Sequence, residues 1–338
     1  MNLLLTGGCG FVGINLIHRI LRTTDHAVVN LDALTYAANP AALAGAARDH
    51  PGRYRFVRGS VTDPAAVGPL VRGADAVLHL AAESHVDRSI APGGARVFLE
   101  TNALGTQVVL DALRDAESAD GRPRRLVHVG TDEVYGDLPL DRPGLRFDES
   151  SPYRPSSPYA ASKAAGDHLV RAAHRGFGLD AVITHASNNL GPHQFPEKLV
   201  PLFVQRLMDG QKVPLYGDGR NVRDWLHVED HAAAVLAALE RGRSGQTYCV
   251  GAGSERSNRE LTAALLDAFG VGWDRVERVP DRPGHDRRYA LDATKARREL
   301  GWRPERSAWP AALEETVRWY RENEPLWRPL VGRARGCG

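Results

Sequence analysis

The first thirteen residues constrain this chain more than any other stretch. Leu3-Leu4-Leu5 is an apolar run of the length of a buried strand, and Thr6-Gly7-Gly8-Cys9-Gly10-Phe11-Val12-Gly13 follows at once. Glycines at positions 7, 10 and 13 leave room for a tight turn, for close approach of backbone to a pyrophosphate, and for a helix packed closely on its strand. A second apolar run, Ala27-Val28-Val29-Asn30-Leu31, ends in Asp32, about 20 residues beyond Gly13. A carboxylate there suits the adenosine ribose hydroxyls and would repel a 2′-phosphate. The pattern predicts NAD rather than NADP.

Strand-like and helix-like segments go on alternating. Tyr54 to Val57 reads as a third strand, and Ala76 to Leu80 as a fourth that leads into Ala81-Ala82-Glu83-Ser84. A helix around Asn102 to Leu113 carries Val108, Val109, Leu110 and Leu113 at helical spacing, and Leu126 to Val129 is again strand-like. Repeated βα units predict an α/β fold, a Rossmann-type doubly wound parallel sheet. After Ala181-Val182-Ile183-Thr184 the texture changes. The C-terminal third is too broken by Gly and Pro to continue that sheet, and reads as a smaller α/β substrate-binding domain. The boundaries expected are 1–186 with about 223–243 for the NAD-binding domain, and 187–222 with 244–330 for the substrate-binding domain.

The chemistry concentrates between residues 130 and 163. Gly130-Thr131-Asp132-Glu133-Val134-Tyr135-Gly136 sits where the fifth run ends, at the edge where open α/β sheets bind ligands. Past a loop rich in Pro, Asp and Ser comes Tyr159-Ala-Ala-Ser-Lys163. Four residues apart on a helix, Tyr159 and Lys163 share a face. A lysine ammonium held there favours the phenolate and lowers the tyrosine pKa from about 10. Tyr159 is thus a candidate base for a substrate hydroxyl. Asp132 and Glu133 add a second acid/base pair that simple hydride transfer does not require. Alone, a Tyr-x-x-x-Lys pair is more often a surface helix pair, and Asp-Glu after a strand a solvated turn. Their order behind a nucleotide-binding N-terminus gives them weight.

Composition narrows the partners. The chain has 338 residues, 43% hydrophobic and 25% charged, with a net charge of +2, so nothing pulls it toward nucleic acid or a membrane. The basic stretches Arg122 to Arg125 and Arg328 to Arg335 are interrupted and read as solvated. The N-terminus enters a strand without a basic region or cleavage site, and Cys9, Cys249 and Cys337 make neither a disulfide framework nor a metal cluster. No metal site is expected. A cytoplasmic location is.

Other segments complete a recognisable set: Leu34-Thr35-Tyr36-Ala37, Glu83 to Ser89, Ser187-Asn188-Asn189, Phe195 to Leu199, Tyr216-Gly217-Asp218-Gly219 and Arg223-Asp224-Trp225. With the glycine turn, Thr131-Asp132-Glu133 and Tyr159/Lys163, they resemble the extended short-chain dehydrogenase/reductase family. Within it they resemble the dTDP-glucose 4,6-dehydratases, from about residue 2 to about residue 320. Relatives that decarboxylate or epimerise nucleotide sugars lack the Asp-Glu pair.

The resemblance implies a role for each residue. Tyr159, helped by Lys163 and Thr131, removes the sugar 4-hydroxyl proton while hydride passes from C4 to NAD. Glu133 then removes the C5 proton, Asp132 protonates the departing 6-hydroxyl, and hydride returns to C6. The cycle is redox-neutral, so a tightly bound NAD can be recycled. Gly7, Cys9, Gly10, Phe11, Val12, Gly13, Asp32, Leu34, Thr35, Ser60, Val61, Leu80, Ala81 and Ala82, with Tyr159 and Lys163, are implied around the cofactor. Ser84, His85, Asn188, Asn189, Glu197, Lys198, Leu199, Leu215, Tyr216, Arg223, Asn258 and His285 are implied around dTDP-glucose. A homodimer joined through four helices is expected. Five positions depart from the family pattern: Cys9 for Ala, Gly130 for Ser, Ser60 for an acidic residue at the adenine, His185 for Arg or Asn, and Leu190 for Tyr. Two rival readings remain beside the dehydratase, namely other nucleotide-sugar chemistry (an epimerase, a decarboxylase, a UDP-sugar dehydratase) and a catalytically silent NAD-sensing protein.

Overall fold

Residues 1–335 are described by a computed structural model, and Cys337 lies outside them. In chain order the strands are β1 (Asn2–Thr6), β2 (Ala27–Asp32), β3 (Tyr54–Arg58), β4 (Ala76–His79), β5 (Arg125–Thr131) and β6 (Ala181–Ala186). They continue as β7 (Asn188–Leu190), β8 (Val213–Tyr216), β9 (Val222–His227), β10 (Thr247–Val250), β11 (Glu255–Ser257) and β12 (Val276–Val279). Seven of them form one sheet in the order β3-β2-β1-β4-β5-β6-β10, and every neighbouring pair is parallel. The order reverses beside β1, as in a doubly wound nucleotide-binding fold.

Continuous apolar runs follow from burial on both faces. Leu3 and Leu5 point to the layer holding helices Phe11–Thr23 and Val228–Arg241, and Leu4 points to the layer of Gly105–Asp120 and Pro158–Phe177. All three leucines are fully buried. This alternation is the period-2 side-chain pattern of a strand.

Two expectations need correcting. The C-terminal third does contribute to the parallel sheet, because Thr247 to Val250 pair with Ile183 to Ala186. The Gly and Pro residues that obscured this strand lie in flanking turns such as Gly245 (φ +76°), and its four residues are all buried. The helix expected from Asn102 starts earlier, as a continuous run of Ala95–Phe98, Leu99–Leu104 and Gly105–Asp120. Its first part has no apolar periodicity to read, since Val97, Leu99 and Leu104 are exposed.

The remaining strands build two small sheets, β11-β9-β7 and β12-β8, around a third core that includes Phe203, Trp225, Leu261 and Tyr320. No helix among the described residues is long and apolar enough to cross a membrane. Between this smaller unit and the C-terminal edge of the large sheet lies a cavity of about 550 Å³.

Candidate active site

The cavity opens at the switch point of the strand order, where the loops after β1 and β4 part. Gly7 has φ +74°, and a Cβ there would stand 2.7 Å from the Ala81 backbone. On Gly13 a Cβ would stand 2.4 Å from the Gly7 carbonyl oxygen. Positions 7 and 13 are therefore closed to any side chain, and the turn brings the N-terminus of helix Phe11–Thr23 to the cavity. Asp32, at the end of β2, lines the same space. Its carboxylate accepts from the Cys9 amide (2.8 Å) and the Leu34 amide (2.7 Å), while burial raises its pKa. A helix N-terminus that no Cβ obstructs, beside a carboxylate on the next strand, fits a dinucleotide.

Most residues expected at the cofactor do line the cavity: Gly7, Gly10, Phe11, Val12, Gly13, Asp32, Thr35, Ser60, Val61, Leu80, Ala81 and Ala82. Cys9 and Leu34 are not among the lining residues. Cys9 is buried, its sulfur 3.5 Å from the Asn30 amide, and burial with the Asp32 charge pushes its thiol up to about 12. Leu34 takes φ +56° and packs against the core. Both serve Asp32 through their amides.

The catalytic candidates converge. Helix Pro158–Phe177 begins at Ser157, whose side chain caps the Ala160 amide, so Tyr159 and Lys163 stand in its first turns. Both are buried and both line the cavity with Thr131, Asp132 and Glu133. The Thr131 hydroxyl donates to Asp132 (3.4 Å) and accepts the Glu133 amide (3.4 Å), which holds the two carboxyl groups in a single tight turn after β5.

Their environments separate them. Burial, then the Glu133 charge, raises the Asp132 pKa well above the carboxylate range, and its Oδ2 has no hydrogen-bond partner. Burial raises Glu133 too, but Arg282, Arg223 and Lys198 oppose the shift. The upward push is the stronger at Asp132, which makes it the candidate acid, while the cations around Glu133 favour its ionised form and make it the candidate base. That is the split an acid and a base need.

Burial and the Glu133 charge push the Tyr159 phenol upward, and the Thr131 hydrogen bond pulls it down. Lys163 donates to the Val129 carbonyl at 2.8 Å, which fixes its ammonium on the same helix face. Spacing on a helix showed that the two share a face, but not how deeply the phenol is buried.

The opposite wall is cationic and polar. Ser84, His85, Asn188, Asn189, Glu197, Lys198, Leu199, Leu215, Tyr216, Arg223, Asn258 and His285 all line it. Arg223 is 5% exposed, donates to the Val222 and Asp286 carbonyls, and stacks on the Tyr289 ring at 4.4 Å. Glu197 accepts from the Tyr36 hydroxyl (2.6 Å) and from Arg88 (3.1 Å). Lining residues outside that set include Arg282, bonded to Asp87 at 3.0 Å, Thr101, and His231, 3.1 Å from the Asn189 side chain. Arg282 opens the stretch Arg282 to Arg288, whose arginines suit a diphosphate and are visible in the sequence. Thr101 and His231 lie inside helical stretches with no local signal.

A Rossmann sheet whose switch point opens onto a buried tyrosine–lysine helix is the architecture of the extended short-chain dehydrogenase/reductases. The family model described as GDP-mannose 4,6 dehydratase matches residues 4–309. A dTDP-glucose 4,6-dehydratase of Streptomyces niveus is 50% identical over 335 residues, covering 98% of this chain and 96% of its own. One from Mycolicibacterium smegmatis is 47% identical over 331 residues, covering 98% and 96%. The crystal structure of a dTDP-glucose 4,6-dehydratase from Streptomyces venezuelae, determined with NAD bound, superposes with a TM-score of 0.90 at 50% identity over 98% of this chain and 100% of that one. A Thermus thermophilus UDP-glucose 4-epimerase in complex with NAD shares the fold at 32% identity, with a TM-score of 0.84 over 96% and 100%. The chain belongs to the GDP-mannose 4,6-dehydratase family.

Proposed function

We propose that the protein is a dTDP-glucose 4,6-dehydratase, a hydro-lyase that uses NAD to convert dTDP-glucose to dTDP-4-keto-6-deoxyglucose in deoxysugar biosynthesis. The observation that carries this reading is the pair Asp132 and Glu133, adjacent in one cavity with Tyr159, the first buried and the second half-buried, with the proton affinity of Asp132 raised the further. An epimerase has no use for such a pair, since it eliminates nothing at C6. The likeness to dehydratases over nearly the whole chain supports the same conclusion.

NAD, when bound, supplies a reversible hydride acceptor, so that C4 can be oxidised and C6 later reduced with no net redox change. The glycine turn, Asp32, Tyr159 and Lys163 would hold it. The remaining chemistry belongs to side chains of this chain. Tyr159 takes the proton of the sugar 4-hydroxyl, steadied by Thr131, and Lys163 adds positive charge on the same helix face. A 4-keto group acidifies C5, and Glu133 removes that proton, which C5 regains once C6 has been reduced. Asp132 gives its proton to the 6-hydroxyl, which leaves as water. Arg223, Arg282, Lys198 and His285 offer charge-assisted donors to the diphosphate.

Residues 1–186 with about 223–243, extended by β10, bind NAD in this reading, and the remainder to about residue 330 binds the nucleotide sugar. The protein acts as a homodimer in the cytoplasm. Exposed Val97, Leu99 and Leu104 on the helical run from Ala95 support a dimer made through helices, and two buried free thiols suit a reducing compartment.

The test is incubation of purified protein with dTDP-glucose, following the 4-keto-6-deoxy product by its ultraviolet absorbance in base. Product without added NAD supports both the reaction and cofactor retention. Product only after NAD is added keeps the reaction and rejects retention, with Ser60 the first position to change. Conversion to dTDP-galactose instead would make it an epimerase, and UDP-glucose run in parallel reports the base preference.

A further inference from the structure

Beneath the catalytic turn lies a buried polar cluster that the mechanism above leaves unused. Asp167 is fully buried on helix Pro158–Phe177, one turn beyond Lys163 and two beyond Tyr159. Its Oδ2 accepts from the Tyr153 hydroxyl (2.9 Å) and lies 2.9 Å from Nε2 of His185 on β6. Nδ1 of the same imidazole, also fully buried, lies 2.7 Å from the Tyr135 hydroxyl. An Nε2–H given to the carboxylate leaves Nδ1 to accept from Tyr135. Tyr135 closes the turn that carries Asp132 and Glu133. One line of bonds therefore runs from the helix of Tyr159 and Lys163 to the turn of the two carboxyl groups.

The backbone makes room for it. A Cβ on Gly130 would stand 2.5 Å from Cδ2 of His185 and 3.0 Å from the Thr184 carbonyl oxygen. Bare glycine just before Thr131 is what admits the ring. The electrostatics run the same way. Burial alone would raise Asp167, but His185 and His128 outweigh it and hold the carboxyl well below its usual range. Lys163, pushed down by burial, has Asp167 as the one charge raising it again. The groups facing this carboxylate are Lys163 on its own helix, His128 on β5 (3.3 Å), His185 on β6, and Tyr153, which takes Arg171 at 2.8 Å. Tyr135 faces Cys249 of β10 at 3.6 Å, and His79 of β4 lies against the His128 ring.

We propose that Asp167 and His185 are a positioning couple that ties the Tyr159/Lys163 helix to the Asp132/Glu133 turn. The proposal rests on the dehydratase reading. It goes beyond it by assigning work to two residues that touch neither substrate nor cofactor.

The test uses the full chain and dTDP-glucose turnover. His185→Asn and Tyr135→Phe break the same bond, so each should lower kcat about tenfold with KM little changed, and the double variant should be no worse than either alone. Factors that multiply in the double variant overturn the couple. Asp167→Asn weakens the other end of the same line of bonds and should likewise lower kcat about tenfold with KM little changed. A folded Asp167→Asn with wild-type kcat overturns the couple. Should Asp167→Asn fail to fold, the His185/Tyr135 cycle still decides on the tie. A wild type inactive on dTDP-glucose would refute the function instead, a result distinct from an active wild type with unaffected variants.

Discussion

Replacing Asp132 by Asn separates two halves of the reaction that the structure assigns to different groups. The swap keeps shape and burial and adds no charge, so stability should not fall. What it removes is a transferable proton. Asp132 is 2% exposed with Oδ2 unpartnered, so no neighbour in the turn is positioned to donate in its place. Loss of a general acid costs on the order of 10²-fold or more in rate, about 2.7 kcal/mol of transition-state stabilisation per hundredfold. Oxidation at C4 should survive, because Thr131, Tyr159 and Lys163 are untouched. With dTDP-glucose the variant should therefore accumulate NADH absorbance while the base-induced product absorbance rises at a hundredth of the wild-type rate or slower. Product formation at the normal rate would refute the assignment of Asp132 as the acid.

Tyr159→Phe should stop the first step, and growth of NADH absorbance with substrate in that variant would count against Tyr159 as the base. Gly13→Ala puts a Cβ 2.4 Å from a backbone oxygen, and cofactor released on denaturing the purified variant should drop severalfold against the wild type. Leu4→Ala empties a fully buried site in the central strand and should cost about 2–5 kcal/mol, read as a lower denaturation midpoint. Glu133 must be ionised to act as a base and burial raises its pKa, so kcat should fall on acidification at a pH above the ordinary carboxylate range, near 4. An acid limb at or below that value would contradict the burial argument.

What the sequence disclosed was local. Gly7 and Gly13 could be read because positions that exclude a Cβ leave only one residue type to choose. Leu3 to Leu5 showed a strand because burial on both faces erases alternation. Tyr159 and Lys163 were visible because a helix sets their relation within one turn. The rest depends on contacts between distant residues. β10 is four residues long between Gly-rich turns, and only its pairing with β6 reveals it. The depth at which the Tyr159 phenol is buried is likewise set by elements from distant parts of the chain. Gly130 and His185 looked like two separate departures from a family pattern. In three dimensions each makes room for the other, and Asp167, which no motif marks, joins them.

The most direct test of the central claim is infrared difference spectroscopy of the carboxyl groups at neutral pH, wild type against Asp132→Asn and against Glu133→Gln. The account predicts a protonated-carboxyl stretch in the wild type that disappears with Asp132→Asn and survives Glu133→Gln. Absence of that band in the wild type, or its loss with Glu133→Gln, would contradict the division of the pair into acid and base.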